Sequence, residues 1–177
     1  MGEKLILIDG HSILNRAFYG VPDLTNAEGI HTNAMYGFLN ILFKFLDEEK
    51  PDYITVAFDL SAPTFRHKAF DGYKGTRKPT PDELVCQFSI IREYLEAHHI
   101  TVVEQEGYEA DDILGTIAKE SAAKGIDVSI VSGDRDLLQL ADEHIKIRIP
   151  KTKKGVTEVE DYYPSDVFNL YGVTPHE

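Results

Sequence analysis

The run Leu5-Ile-Leu-Ile8 is stopped by a carboxylate, Asp9. Four consecutive apolar residues, too few for a helix and with β-branched members, predict a strand buried on both faces. Outward from it the same signal recurs at Tyr53-Ile-Thr-Val-Ala-Phe58, Ile100-Thr-Val-Val103, Val128-Ser-Ile-Val131 and Ile145-Lys-Ile-Arg-Ile149. The first four are expected to be largely buried. Helical patterns lie between them. Met35, Leu39, Leu42 and Leu46 fall on one helical face, as do Leu84, Phe88, Ile91 and Leu95, and Ile113, Leu114, Ile117 and Ala118, the last set closed by Lys124-Gly125. Thr80-Pro81-Asp82-Glu83 predicts a capping box with proline at the first helical position. Strands alternating with helices imply an α/β fold, a mainly parallel sheet with helices on both faces.

A chain of 177 residues, 42% hydrophobic, suffices for one core and predicts one domain over residues 1–177. The apolar run before Asp9 is too short for a signal peptide or a membrane span, so a soluble, cytoplasmic monomer is expected. The single cysteine, Cys86, excludes an internal disulfide and a thiolate metal site and reads as a small buried residue. A net charge of −12 argues against binding nucleic acid, yet the 18 basic residues are unevenly spread. Five lie in 66–78 (Arg66, Lys68, Lys74, Arg77, Lys78) and five in 146–154 (Lys146, Arg148, Lys151, Lys153, Lys154). On charge alone these are two solvated loops. The first sits in 61–81, a long basic and aromatic stretch punctuated by Gly and Pro, of the kind that is functional in a compact domain. The second adjoins 150–160, which reads as a hairpin with a basic turn at Lys151–Gly155, followed by a short helix after Tyr163.

Carboxylates follow the predicted strands: Asp9 the first, Asp59 the second, Asp134 and Asp136 the fourth. Glu109, Asp111 and Asp112 begin the helix after the third. In a parallel sheet the strands' C-terminal ends share one edge, where ligand crevices form, so all seven are expected to converge. Each alone has a structural explanation: Asp136 as a cap for the Leu137 helix, Asp111 and Asp112 as favourable charges at a helix N-terminus, Asp9 as the close of a turn. Together they repel, since two unit charges about 4 Å apart cost roughly 4 kcal/mol at an effective dielectric near 20. Such a cluster calls for cations or shifted proton affinities. Oxygen-only donors select hard ions, Mg²⁺ or Mn²⁺ rather than zinc, and a pair of such ions suits in-line phosphodiester hydrolysis. The histidines show no metal-ligand spacing, His98-His99 reads as capping and core, no glycine-rich phosphate cradle is present, and an aspartyl phosphatase would need Asp where His11 stands.

Leu7-Ile-Asp-Gly-His11 with Asn15-Arg-Ala-Phe-Tyr19, Ala57-Phe-Asp59, Phe65-Arg-His67, Tyr73-Lys-Gly-Thr-Arg77, Gly107-Tyr-Glu-Ala-Asp-Asp112 and Ser132-Gly-Asp-Arg-Asp136 resemble the 5′–3′ exonuclease domain of bacterial DNA polymerase I, related to the flap endonucleases. The resemblance runs from Leu5 to about Tyr171. It implies a PIN-like, Rossmann-like α/β domain and Mg²⁺- or Mn²⁺-dependent cleavage of DNA bearing a 5′ flap, a nick or an RNA primer, with two ions in the full domain. By it Asp9, Asp59, Glu109, Asp111, Asp112, Asp134 and Asp136 match metal-site acids, and Lys74, Arg77 and Arg16 match catalytic basic residues. The 61–81 segment matches a basic arch in which Arg66, Lys68, Tyr73 and Lys78 would meet DNA. The family often has Tyr where this chain has Asn15, so base stacking would fall to Phe18 or Tyr19. The family also continues into a further carboxylate pair, a helix-hairpin-helix region and a polymerase, and none of these lies before Glu177. Two other readings use the same residues: a PIN-like ribonuclease, which needs fewer acids and no arch, and a noncatalytic nucleic-acid-binding module, which would tolerate loss of the acids.

Overall fold

The computed structural model describes residues 2–60, 62, 64–70, 79–153 and 156–175. Strands β1 (Lys4–Asp9), β2 (Tyr53–Ala57), β3 (Thr101–Val103), β4 (Asp127–Val131), β5 (Ile145–Lys153) and β6 (Val156–Tyr162) form one sheet in the order β3-β2-β1-β4-β5-β6. Neighbours run parallel except β5 and β6, whose short connection after Lys153 requires antiparallel pairing. The chain winds outward from β1 through β2 to β3, then returns to place β4 on the other side of β1. That reversal opens a crevice beyond the C-terminal ends of β1 and β4.

Helices α1 (Gly10–Gly20), α2 (Asn33–Glu49), α3 (Phe65–Ala69), α4 (Asp82–Ala97), α5 (Ala110–Ala122) and α6 (Pro164–Tyr171), with a 3₁₀ turn over Arg135–Leu140, complete the described elements. Side chains of β1 alternate across the sheet with a period of two. Ile6 and Ile8 join a core with residues of α1, α2 and α4 (Leu14, Phe38, Phe45, Ile91). Leu5 and Leu7 join the opposite core with Leu114, Leu137 and Val167. The expected α/β architecture with both faces covered is thus present, and no helix among the described residues is long and apolar enough to cross a membrane.

Several local expectations are corrected. The buried stripe of α2 is Ala34, Phe38, Ile41, Leu42 and Phe45, with Met35, Leu39 and Leu46 only partly buried at its margins. β3 is a three-residue edge strand and half exposed, because only β2 pairs with it. The Thr80 capping box is absent: Pro81 is the cap, its carbonyl accepts the N–H groups of Leu84 and Val85, and Thr80 lies a residue too early. Cys86 is exposed, since it falls on the outer face of α4 opposite Leu84, Ile91 and Leu95. His98 and His99 are both exposed; His98 ends α4 and stacks on Tyr94.

Candidate metal centre at the sheet edge

Asp9 is the last residue of β1 and the cap of α1. Its Oδ1 accepts the Ser12 N–H at 3.0 Å and its Oδ2 the Ser132 hydroxyl at 2.8 Å. Asp59, two residues beyond β2, accepts the Ala110 N–H at 2.7 Å, which ties the end of β2 to the start of α5. The Asp59 N–H donates to His11 Nδ1 at 3.2 Å, and the His11 ring leans on Phe58 and Phe88. Glu109 caps α5 and Asp111 stands in its first turn. Asp134 caps the 3₁₀ turn, accepting the Asp136 N–H at 2.9 Å. Acids suit helix N-termini, so the caps that begin α1, α5 and the 3₁₀ turn also deliver carboxylates to the sheet edge.

Asp9, Asp59, Glu109, Asp111 and Asp134 line one crevice of about 450 Å³, with His11, Asn15 and Tyr19 on its rim. Burial, opposed by bonds from Ser12 and Ser132 and reinforced by Asp59 and Asp134, pushes the Asp9 carboxyl up to about 6. Asp111 is pushed up to about 7, first by burial and then by Asp9, Asp134, Asp59 and Glu109. Burial is the larger cause of both shifts, and the neighbouring carboxylates add to it.

Convergence of all seven acids is corrected to five. Asp112, one residue on from Asp111, is turned about 100° round the helix. Its carboxylate accepts the Glu109 N–H at 3.1 Å and takes both terminal nitrogens of Arg66 at 2.6 and 2.7 Å. Asp136 is exposed in the 3₁₀ turn and is not among the crevice-lining residues. Among the described residues no group of three His, Cys, Asp or Glu side chains has the geometry of a directly ligated ion.

The expected basic and aromatic residues divide. Arg66 is engaged by Asp112, lies 3.5 Å from Glu109 and covers the Phe65 ring. Arg16 is exposed at the guanidinium end, which donates to the Gly133 carbonyl at 2.5 Å and reaches the Pro150 carbonyl at 3.5 Å. Phe18 is partly buried against the α1–α2–α4 core, whereas Tyr19 is 71% exposed and on the crevice rim. Tyr73, Lys74, Arg77 and Lys78 lie outside the described residues, as does the side chain of Lys68. The second basic group is not a free loop: Lys146 and Arg148 meet Glu49, and Lys151 meets Glu160. A hollow of about 410 Å³ at the opposite sheet edge gathers Glu48, Glu49 and Asp127, but Lys4, Lys146 and Arg148 share it. The residues not singled out from sequence are Ser12 and Ser132, which orient Asp9, and His11, which holds the Asp59 backbone. His11 and Ser132 fall inside the Leu7–His11 and Ser132–Asp136 motifs, and Ser12 directly follows the first of them.

The model of the family "5′-3′ exonuclease, N-terminal resolvase-like domain" matches residues 4–172. DNA polymerase I of Bacillus caldotenax is 51% identical over 177 residues, all of this chain but 20% of that relative. The chain therefore spans about a fifth of that protein. Among solved structures, bacteriophage T5 5′-exonuclease with bound divalent zinc ions aligns with a TM-score of 0.71 at 20% identity, over 97% of this chain and 62% of the other. A T5 flap endonuclease in a pseudo-enzyme–product complex with DNA and metal ions aligns at 0.68 and 18%, over 97% and 61%. These likenesses bear out the expected PIN-like fold, and the sequence match makes this chain a member of the 5′-3′ exonuclease N-terminal domain family.

Proposed function

We propose that the acidic crevice holds hydrated Mg²⁺ or Mn²⁺ and that the chain hydrolyses DNA phosphodiesters at 5′ flaps, nicks or RNA primers, as the first part of a DNA polymerase I. The observation that carries this is the meeting of five carboxylates, Asp9, Asp59, Glu109, Asp111 and Asp134, at one crevice beyond the strand ends. The donor set fits the ion: it is all oxygen, the donor type that hard ions such as Mg²⁺ and Mn²⁺ take. Such an ion supplies Lewis-acid neutralisation of phosphate charge. The chain's own residues hold the acids in place through the caps of α1, α5 and the 3₁₀ turn. Water adds to phosphorus and the bond to the 3′ oxygen breaks, leaving a 5′-phosphate and a 3′-hydroxyl. Tyr19, exposed beside the crevice, would stack on a base, and Lys74 and Arg77 would offset charge developing on the phosphate. The T5 5′-exonuclease with bound zinc ions and the T5 flap endonuclease complex with DNA and metal ions support this reading.

The test pairs calorimetry with cleavage. Wild type should bind Mn²⁺ and cut 5′-flap DNA in preference to single-stranded RNA, and an Asp111→Asn, Asp134→Asn variant should lose both properties. Preferential RNA cleavage supports a PIN-like ribonuclease instead, and DNA binding without cleavage a noncatalytic module. Identical Mn²⁺ binding by both proteins overturns the metal site.

A further inference from the structure

Ser132, the first residue beyond β4, is wholly buried. Its hydroxyl donates to Asp9 Oδ2 at 2.8 Å and accepts the Asp134 N–H at 3.0 Å. One oxygen thus joins two crevice acids that arrive from different strands. Its own N–H is fixed by the Arg148 carbonyl at 3.2 Å, so the hydroxyl is held from the backbone side by β5. Ser12 completes a clasp from α1: its N–H donates to Asp9 Oδ1 at 3.0 Å, and its hydroxyl accepts the Gly133 N–H at 2.8 Å. Each carboxylate oxygen of Asp9 therefore has a dedicated donor, and the Gly133–Asp134 segment is pinned to the same two serines.

We infer that Ser132 is a positioning residue for metal binding: through the paired contacts to Asp9 Oδ2 and the Asp134 N–H, it fixes the rotamer of one acid and the approach of the other. This rests on the reading of the crevice as a metal site. A hydroxyl suits the task for three reasons. It has one proton to give and gives it to the carboxylate; its oxygen accepts from the backbone that carries the second acid; and, being neutral, it adds no cation that would compete with the ion. Partners of this kind, which orient ligands without touching the metal, typically contribute about 10–100-fold to affinity.

The fold contains its own control. Ser129 lies on β4, three residues before Ser132, is also buried, and donates to a carboxylate, Glu49 Oε2, at 2.6 Å, away from the crevice and toward the opposite edge of the sheet. Ser129→Ala removes a buried serine–carboxylate bond of the same type without touching the crevice.

Calorimetric titration of Mn²⁺ into wild type, Ser132→Ala, Ser129→Ala and Ser12→Ala, with melting curves in chelator for each, tests the inference. Ser132→Ala should weaken Mn²⁺ binding by about tenfold or more, and Ser129→Ala should leave it within about twofold of wild type even if it melts earlier. Ser12→Ala, which keeps the backbone bond to Asp9 and loses only the Gly133 contact, should show a smaller loss. It also serves as the test if Ser132→Ala does not fold. Wild-type affinity in Ser132→Ala, or in Ser12→Ala where only that variant folds, overturns the inference, as does an equal loss in Ser129→Ala. No Mn²⁺ binding by wild type itself overturns the proposed metal site and the inference with it.

Discussion

Asp9 is pulled in opposite directions by its surroundings: burial and the neighbouring acids favour its proton, while Ser12 and Ser132 favour its charge, and the balance lies near 6. Asp111 lies near 7 for the first pair of reasons without such donors. Both folded values stand above the ordinary 3.8, so the folded chain binds these protons more tightly than the unfolded one. Their stabilising contribution is complete below about pH 4 and is lost as pH rises through 6 and 7, on the order of 3 kcal/mol for buried Asp9. In chelator the melting temperature should therefore fall between pH 5 and 8. His144, raised chiefly by its bond to Asp127, acts in the same direction. The diagnostic is therefore the difference from Asp111→Asn, which should melt higher at pH 8 and show a shallower fall; equal slopes would sink the assignment. Gly133 supplies a second check. A Cβ there would overlap the Arg16 side chain, displacing it from the Gly133 and Pro150 carbonyls. Gly133→Ala should cost about 1 kcal/mol in wild type and much less when Arg16 is already Ala, as urea melts of the double-mutant cycle would show.

Among the elements, the strands were legible because Leu5–Ile8 and Val128–Val131 are short apolar runs of the sort only a doubly covered sheet accommodates. Helix α1 was not, since only Ile13, Leu14 and Ala17 mark its inner face after the buried Gly10, and its cap, Asp9, reads equally well as the end of a strand. Nor was the join between α2 and α4. Thr32, which precedes α2, makes no side-chain cap bond, and the Met35 N–H is instead accepted by Gln87 Oε1 at 3.0 Å from α4. Gln87 is wholly buried; its amide donates to Asn33 Oδ1 at 3.0 Å and the Glu83 carbonyl at 2.8 Å, and Asn33 in turn donates to the Phe18 carbonyl at 2.9 Å. A polar residue on an inner helical face has no signature in periodicity, because the partners that bury it, Met35 and Asn33, are 52 and 54 residues away. Gln87→Leu keeps the volume and strands two buried polar groups, so it should cost about 2–4 kcal/mol. A denaturant midpoint unchanged from wild type would show that the network is dispensable.

Across the whole molecule, acids gather at both edges of the sheet within a chain of net charge −12. At the C-terminal edge five acids line one crevice; at the other, Arg148 gathers acids about itself. Its guanidinium donates to Asp161 and Glu49 at 2.7 Å each and to Glu48 at 3.0 Å, and lies 4.6 Å over the Phe45 ring, while Lys146 approaches Glu49 to 3.5 Å. The sequence showed a basic cluster at 146–154 but not its destination, because the acids that claim Arg148 on α2 are 99 and 100 residues away. The consequence is that this cluster contributes to cohesion of α2, β5 and β6. Removing one member of a buried ionic group leaves the others charged and desolvated, which typically costs about 3–5 kcal/mol, whereas apolar replacement of the pair is often close to neutral. Arg148→Met should therefore lower stability by about that amount, Glu49→Leu with Arg148→Met should recover much of it, and Lys151→Ala, which breaks an exposed pair with Glu160, should cost no more than about 1 kcal/mol. Urea denaturation at pH 7 of the three variants checks the order. If Arg148→Met lies within about 1 kcal/mol of wild type, or the double variant is no better than the single one, Arg148 does not hold this edge together.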